Sequence, residues 1–185
     1  IKEADGKVYP FGDLCGAGVA LKIASALLDE LPTDLIDIAS IGTVADIVSL
    51  TDENRAIVKF GIQAIMNSQR PGLLALIKEA GIQLDRFDEQ DIGFAIAPRL
   101  NSLGRMKDAT VGVELLATFD EDRAAELAKF ANHQNDLRKS LVDQFYKQAV
   151  DQVEADGVAN KSTLVVVCDN WASGVLGIGA SRLVE

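Results

Sequence analysis

From Ala17 to Leu28 the chain is apolar on most faces, with Lys22 as its single charge. Asp13-Leu14-Cys15-Gly16 leads into this run, so the pattern predicts a buried helix opened by a glycine turn. Leu31-Pro32-Thr33-Asp34 is a break carrying N-cap residues. The next run, Leu35–Val48, is apolar with few charges. Periodicity does not separate a helix from a buried strand over so short a stretch; its length favours a helix. Thr51-Asp52-Glu53-Asn54 reads as the cap of a third helix over Glu53–Asn67, and Arg70-Pro71-Gly72 as the next stop. Shorter helices are expected over Leu73–Ala80 and Asp88–Ile96.

Asp108-Ala109-Thr110 opens a further helix with Val111, Val113, Leu115 and Leu116 inward. Between Glu121 and Ala155 there is no Gly or Pro. Leu127, Phe130, Leu137, Leu141, Phe145, Ala149 and Val153 recur at about 3.5 to 4 residues, which predicts one long amphipathic helix bridging two units. Asp156-Gly157 ends it. Thr163–Cys168 is β-branched and apolar, the one expected strand, and Gly174–Glu185 reads as a helix. Residues 1–120 therefore form one unit, 121–156 a connecting helix, and 157–185 the start of an α/β unit that this chain leaves unfinished.

Composition narrows the class. Of 185 residues, 48% are apolar and 25% charged, as in soluble globular proteins rather than disordered or low-complexity chains. No apolar run reaches the roughly 18 to 20 residues of a membrane span. Ile1-Lys2-Glu3-Ala4-Asp5 is polar and unlike a signal peptide. With no initial Met, and with Ser181–Glu185 inside an expected helix, the chain reads as a piece of a longer one. Cys15 and Cys168 make no disulfide framework, which points to a reducing, cytoplasmic setting. The net charge of −10 argues against nucleic acid on average, but a local basic cluster remains open. A single histidine, His133, means that a site needing several His ligands is not completed by this chain.

Three stretches carry candidate chemistry. In Ile41-Gly42-Thr43-Val44-Ala45-Asp46-Ile47-Val48, Asp46 is the only charge between Asp37 and Asp52. A carboxylate in an apolar run needs a partner; it is either a helix-end cap or a ligand for a hard cation such as Mg²⁺ or Mn²⁺. In Ala97-Pro98-Arg99-Leu100-Asn101-Ser102-Leu103-Gly104-Arg105-Met106-Lys107, Pro98 and Gly104 suggest a shaped loop. Arg99, Asn101 and Arg105 there are either phosphate contacts or parts of a solvated loop paired to nearby acids. In Asp169–Arg182, an expected strand, a small-residue loop and a helix start leave backbone N–H groups free at Gly174, a setting for phosphate. Ser181 and Arg182 follow two turns later. The glycines equally suit close helix packing. Asn132, Asn135 and Arg138 form a polar stripe on the long helix, read as a solvated or domain-contacting face; Cys15 reads as a small buried residue.

These pieces in this order resemble one family. Tyr9-Pro10-Phe11 with Leu14-Cys15-Gly16-Ala17-Gly18-Val19-Ala20, then Gly42-Thr43-Val44-Ala45-Asp46, then Pro98-Arg99-Leu100-Asn101-x-x-Gly104-Arg105-Met106, then Trp171-x-x-Gly174-Val175-Leu176-Gly177-Ile178 with Ala180-Ser181-Arg182-Leu183, are similar to the RecJ family of bacterial single-strand-specific 5′→3′ DNA exonucleases, in the DHH phosphoesterase superfamily. The resemblance implies a helix-rich α/β fold: the C-terminal part of a DHH domain, a long connecting helix, and the start of a DHHA1 domain, with the cleft between. It implies a pair of Mn²⁺ or Mg²⁺ ions held by Asp and His from several motifs, Asp46 matching the last. It implies that Arg105 holds DNA phosphate, that Ser181 and Arg182 match the 5′-phosphate pocket, and that single-stranded DNA and a single-strand-binding protein are partners. A two-metal site would activate water for attack on phosphorus. The Asp-His-His motif is not in this sequence, so the chain alone is expected to be inactive, and Ala172 stands where the family commonly has a polar residue. The other readings are a non-catalytic DHH-type module binding nucleic acid or protein, and a DHH phosphatase for short oligonucleotides or nucleotides.

Overall fold

The computed structural model describes residues 9–106, 108–157, 161 and 163–184. Eight α-helices carry the fold among these residues: α1 Gly16–Leu28, α2 Ile36–Ala45, α3 Asp52–Met66, α4 Pro71–Ala80, α5 Ala97–Met106, α6 Thr110–Ala117, α7 Glu121–Ala155 and α8 Leu176–Val184. The helix starts follow local chemistry. Cys15 Sγ accepts from the Gly18 N–H to cap α1. Pro71 opens α4, and Gly81, at φ 71°, closes it in the left-handed region where no Cβ is penalised. Asp120 Oδ1 accepts from the Arg123 N–H at 2.9 Å, with Glu121 and Asp122 behind it in the first turn of α7.

The main core lies where α2, α3, α4, α5, α6 and the N-terminal half of α7 converge on Ile41, Ile65, Leu73, Leu76, Ile92, Leu103, Leu115 and Leu127. A smaller cluster of Leu21, Ala39 and Ile57 joins α1, α2 and α3. Beneath the core edge Arg70 ties three segments together: Nε to Asp37 Oδ2 at 3.0 Å, Nη1 to the Leu116 carbonyl at 3.0 Å and Nη2 to the Asp34 carbonyl at 2.8 Å. Helix α7, 35 residues and so about 52 Å long, leaves this core and packs its C-terminal half, through Phe145, Ala149 and Val153, beside residues 171–184. Phe145 meets Trp171 with ring centroids 4.2 Å apart, and Gly179 lies where any Cβ would overlap the Phe145 ring.

Four expectations are corrected. Arg99–Arg105 is helical, not a loop. A π-turn over Asp91–Ile96, with the Ala97 N–H donating to the Ile92 carbonyl, runs straight into α5. Widening the turn relieves the clash between the Pro98 ring and the carbonyl four residues back, so Pro98 sits in the first turn of a helix. The expected strand Thr163–Cys168 has no regular structure over 164–168, because no neighbouring strand is present among the described residues to form a ladder. A side chain substitutes in part: Gln152 Oε1 on α7 accepts from the Val167 N–H at 3.0 Å, and its Nε2 reaches the Val167 carbonyl at 3.5 Å. Val113 is exposed rather than inward, since α6 is short and buries only Leu115 fully. On α7, Phe130 and Leu137 are also exposed; Gln134, Asn135 and Val142 take the inner positions as the helix passes from one packing surface to the next.

Candidate nucleic-acid interface

Asp46 is the C-cap residue of α2, its N–H bonded to the Gly42 carbonyl at 3.1 Å. It is exposed, not buried. The apolar run that made it look interior continues to Val48, but the helix stops at Ala45 and leaves Asp46 and Ile47 in solvent. The carboxylate this segment does bury is Asp37, paired with Arg70. Next to Asp46, Ile47 adopts φ 57° and is 92% exposed. A β-branched residue in the left-handed region is an outlier that costs on the order of 1–3 kcal/mol. Helix α2 therefore ends in a strained turn that presents one carboxylate to solvent. Its chemistry suits a hard divalent cation. Among the described residues no three His, Cys, Asp or Glu side chains gather around a common point, so a cation held at Asp46 would need further ligands from beyond them. His133 is exposed on α7, away from any such group.

The basic residues of the second motif separate on α5. Arg99 is half-buried and turned inward: Nε donates to Asn132 Oδ1 at 2.9 Å and Nη1 to the Ala95 carbonyl at 2.8 Å. Asn101 and Arg105, four residues apart, share one exposed face. Lys107, the third cation of the motif, lies outside the described residues.

At the C-terminal end of α5 the second and third motifs meet. Arg105 Nη1 donates to the Gly174 carbonyl at 3.2 Å, 69 residues away in sequence. Gly174 is obligatory there, because a Cβ would overlap the Arg105 carbonyl. The packing role foreseen for these glycines holds at Gly174 and Gly179, while Gly177 faces open space. Ala172 lies in the loop just before the Ser173–Val175 turn. Ser181 is exposed on α8. Arg182 is engaged with α7, ion-paired to Asp143 and stacked 4.5 Å from the Tyr146 ring centre. Asp46 and α8 occupy different elements, linked through α5, which packs on both α2 and the Ser173–Val175 turn.

Sequence reasoning undervalued the stripe on α7. Asn132 is the acceptor for Arg99, and Asn135, 1% exposed, accepts from Arg138 Nε and Nη2. The stripe is a packed, hydrogen-bonded face toward α5. The clue available beforehand was the spacing of Asn132, Asn135 and Arg138 opposite a basic segment.

No protein-family model matches the chain. Among curated proteins it is 43% identical over 180 residues to the single-stranded-DNA-specific exonuclease RecJ of Bacillus subtilis, covering 97% of this chain and 23% of that protein. It is 33% identical to RecJ of Escherichia coli, covering 96% of this chain and 34% of that protein. Among solved structures, exonuclease RecJ bound to manganese aligns with a TM-score of 0.83 at 29% identity, over 95% of this chain and 45% of that one. RecJ of Thermus thermophilus in complex with Mg²⁺ aligns at 0.82 and 27% identity, over 100% of this chain and 29% of that one. The chain thus spans 23% to 45% of the length of these relatives.

Proposed function

From a chain that is RecJ-like across 97% of its residues, we propose that it supplies part of the catalytic core of a divalent-metal-dependent exonuclease acting on single-stranded DNA from the 5′ end. That near-complete match is the observation that carries the reading. In it, residues 1–120 are the C-terminal part of a DHH domain, 121–156 the connecting helix and 157–185 the start of a DHHA1 domain. Asp46 contributes one carboxylate oxygen to bind Mn²⁺ or Mg²⁺, the remaining ligands coming from outside these residues. The bound metal would supply activation of water and neutralisation of charge at phosphorus. Arg105 and Asn101, on one face of α5, hold strand phosphates. Gly174 fixes how α8 meets α5, and Ser181 and Arg182 face the 5′ phosphate, Arg182 exchanging its Asp143 partner for that group. Arg99 supports the site from behind by bracing α5 on α7.

In this reading the cellular role is DNA repair and recombination in the cytoplasm, with a single-strand-binding protein as the protein partner. The chain by itself is inactive in this reading. A second reading, a non-catalytic module binding nucleic acid or protein, draws on the net charge of −10 and on Ala172. No described helix is long and apolar enough to cross a membrane.

The deciding experiment uses the full-length protein with Mn²⁺. Asp46→Ala is expected to lower hydrolysis by more than about a hundredfold, beyond the cost of losing a group that merely supports a metal ligand. Its circular-dichroism melt should be unchanged. Arg105→Ala should chiefly raise KM. Full activity in Asp46→Ala would remove Asp46 from the metal centre, whereas an unaltered full-length protein that binds the strand without hydrolysing it would favour the binding-module reading.

A further inference from the structure

The loop between α2 and α3, residues 46–51, begins with Asp46 and is bent at both ends through the left-handed region. Ile47 stands at φ 57°, and Asp52, the first residue of α3, at φ 44°. Such backbone persists only where its surroundings over-determine it. The contact that fixes the middle of the loop comes from Asn54, in the first turn of α3 and 0% exposed. Its Nδ2 donates to the Ser49 carbonyl within the loop at 3.0 Å and to the Asp13 carbonyl, just ahead of α1, at 2.8 Å. Among the described residues no other side chain bonds to the backbone of this loop.

The Asn54 amide is used for its donors alone: Oδ1 is buried without a hydrogen-bond partner among the described residues, a cost that only the donor side offsets. Turning the amide over would set its oxygen against the Ser49 and Asp13 carbonyl oxygens, so its orientation is fixed. Holding Ser49, three residues after Asp46, keeps the turn at Ile47 closed. The Asp46 and Ile47 N–H groups then stay on the Gly42 and Val44 carbonyls, each at 3.1 Å. We propose that Asn54 is a positioning residue, which by gripping the Ser49 carbonyl fixes the turn that presents the Asp46 carboxylate to a divalent cation. The inference rests on the metal-ligand reading of Asp46 given above, and adds a residue that touches no metal itself.

Mn²⁺ titrations of the full-length protein, followed by the electron paramagnetic resonance of free Mn²⁺, test this together with hydrogen exchange. Asn54→Ala is expected to raise the Mn²⁺ Kd about tenfold, the smaller end of the loss when a group supporting a metal ligand is removed. Exchange should quicken in peptides covering residues 42–51 and stay unchanged in peptides from α4. Asn54→Ser, which keeps one hydroxyl donor should the alanine variant misfold, is expected to move both readouts the same way by less. A merely structural Asn54 would lower Tm and leave the Kd alone. That result, beside an Asp46→Ala variant whose Kd does rise, overturns the positioning role and leaves the Asp46 reading standing. An Asp46→Ala variant with an unchanged Kd overturns the metal-ligand reading, and the positioning role with it. Should neither Asn54 variant fold, exchange in the unaltered protein decides. Protection at Asp46 and Ile47 comparable to that within α2 upholds the pinned turn, and exchange as fast as in an unfolded chain overturns it.

Discussion

Glu53 shows how one side chain can couple separate segments. Its Oε1 accepts from the Tyr9 hydroxyl at 2.6 Å and its Oε2 pairs with Lys22 on α1. Burial pushes the carboxyl up, but the hydrogen bonds from Lys22 and Tyr9 outweigh it and hold the group below its ordinary value of 4.5. A depressed carboxylate stabilises the fold fully above that ordinary value, and the contribution is lost as pH falls through the lowered one. Glu53→Gln is therefore expected to cost about 1 kcal/mol or less at neutral pH and to flatten the acid limb of stability. Urea midpoints at about pH 7 and about pH 3 measure this; an unaltered acid limb would show that other carboxylates dominate it. Asp37 and Asp46 mark the limit of residue-scale reading. Both sit in the same apolar stretch, yet one is buried against Arg70 and the other is exposed. Only the point where α2 ends separates them.

At the scale of elements, the long helix was the most legible feature: a stretch without Gly or Pro, apolar at helical spacing and ended by Asp156-Gly157, gave Glu121–Ala155, matching the observed limits. The Pro98 segment was misread because a proline reads as a loop when it follows a helix, and here it opens α5 behind a π-turn. Helix crossings were not readable at all. α4 meets α6 where Gly72 lies against the Leu115 carbonyl, so a Cβ at Gly72 would collide with backbone that no rotamer change can move. Gly72→Ala is expected to destabilise the chain by about 3 kcal/mol, at the upper end of overpacking costs. A glycine-to-alanine change on an open helix face would instead stabilise slightly. Thermal melts of Gly72→Ala beside Gly177→Ala, whose position has open space, give the comparison; equal melting temperatures would refute the close approach.

Among the described residues, large apolar side chains are left uncovered across the molecule. Ile47, Phe94, Phe119 and Val165 are each at least 80% exposed. A free β-branched segment with unpaired backbone groups invites pairing with another chain. Val165→Lys is expected to lower self-association, seen as a smaller sedimentation coefficient at high concentration, with no change in Tm because Val165 buries so little. Unchanged association would move the sticky surface elsewhere, to the groove between α1 and α2 lined by Ala17, Ala20, Leu21 and Ile38.

The sequence alone determined the helical character, the limits of the long helix, and the motifs by which the chain resembles RecJ, because these depend on local periodicity and residue identity. The tertiary structure alone decided that Asp46 is exposed on a strained turn and that Arg105 meets Gly174 across 69 residues. Those facts depend on how helices cross and which groups lose their water, and contacts between distant residues leave no periodic trace along a single chain.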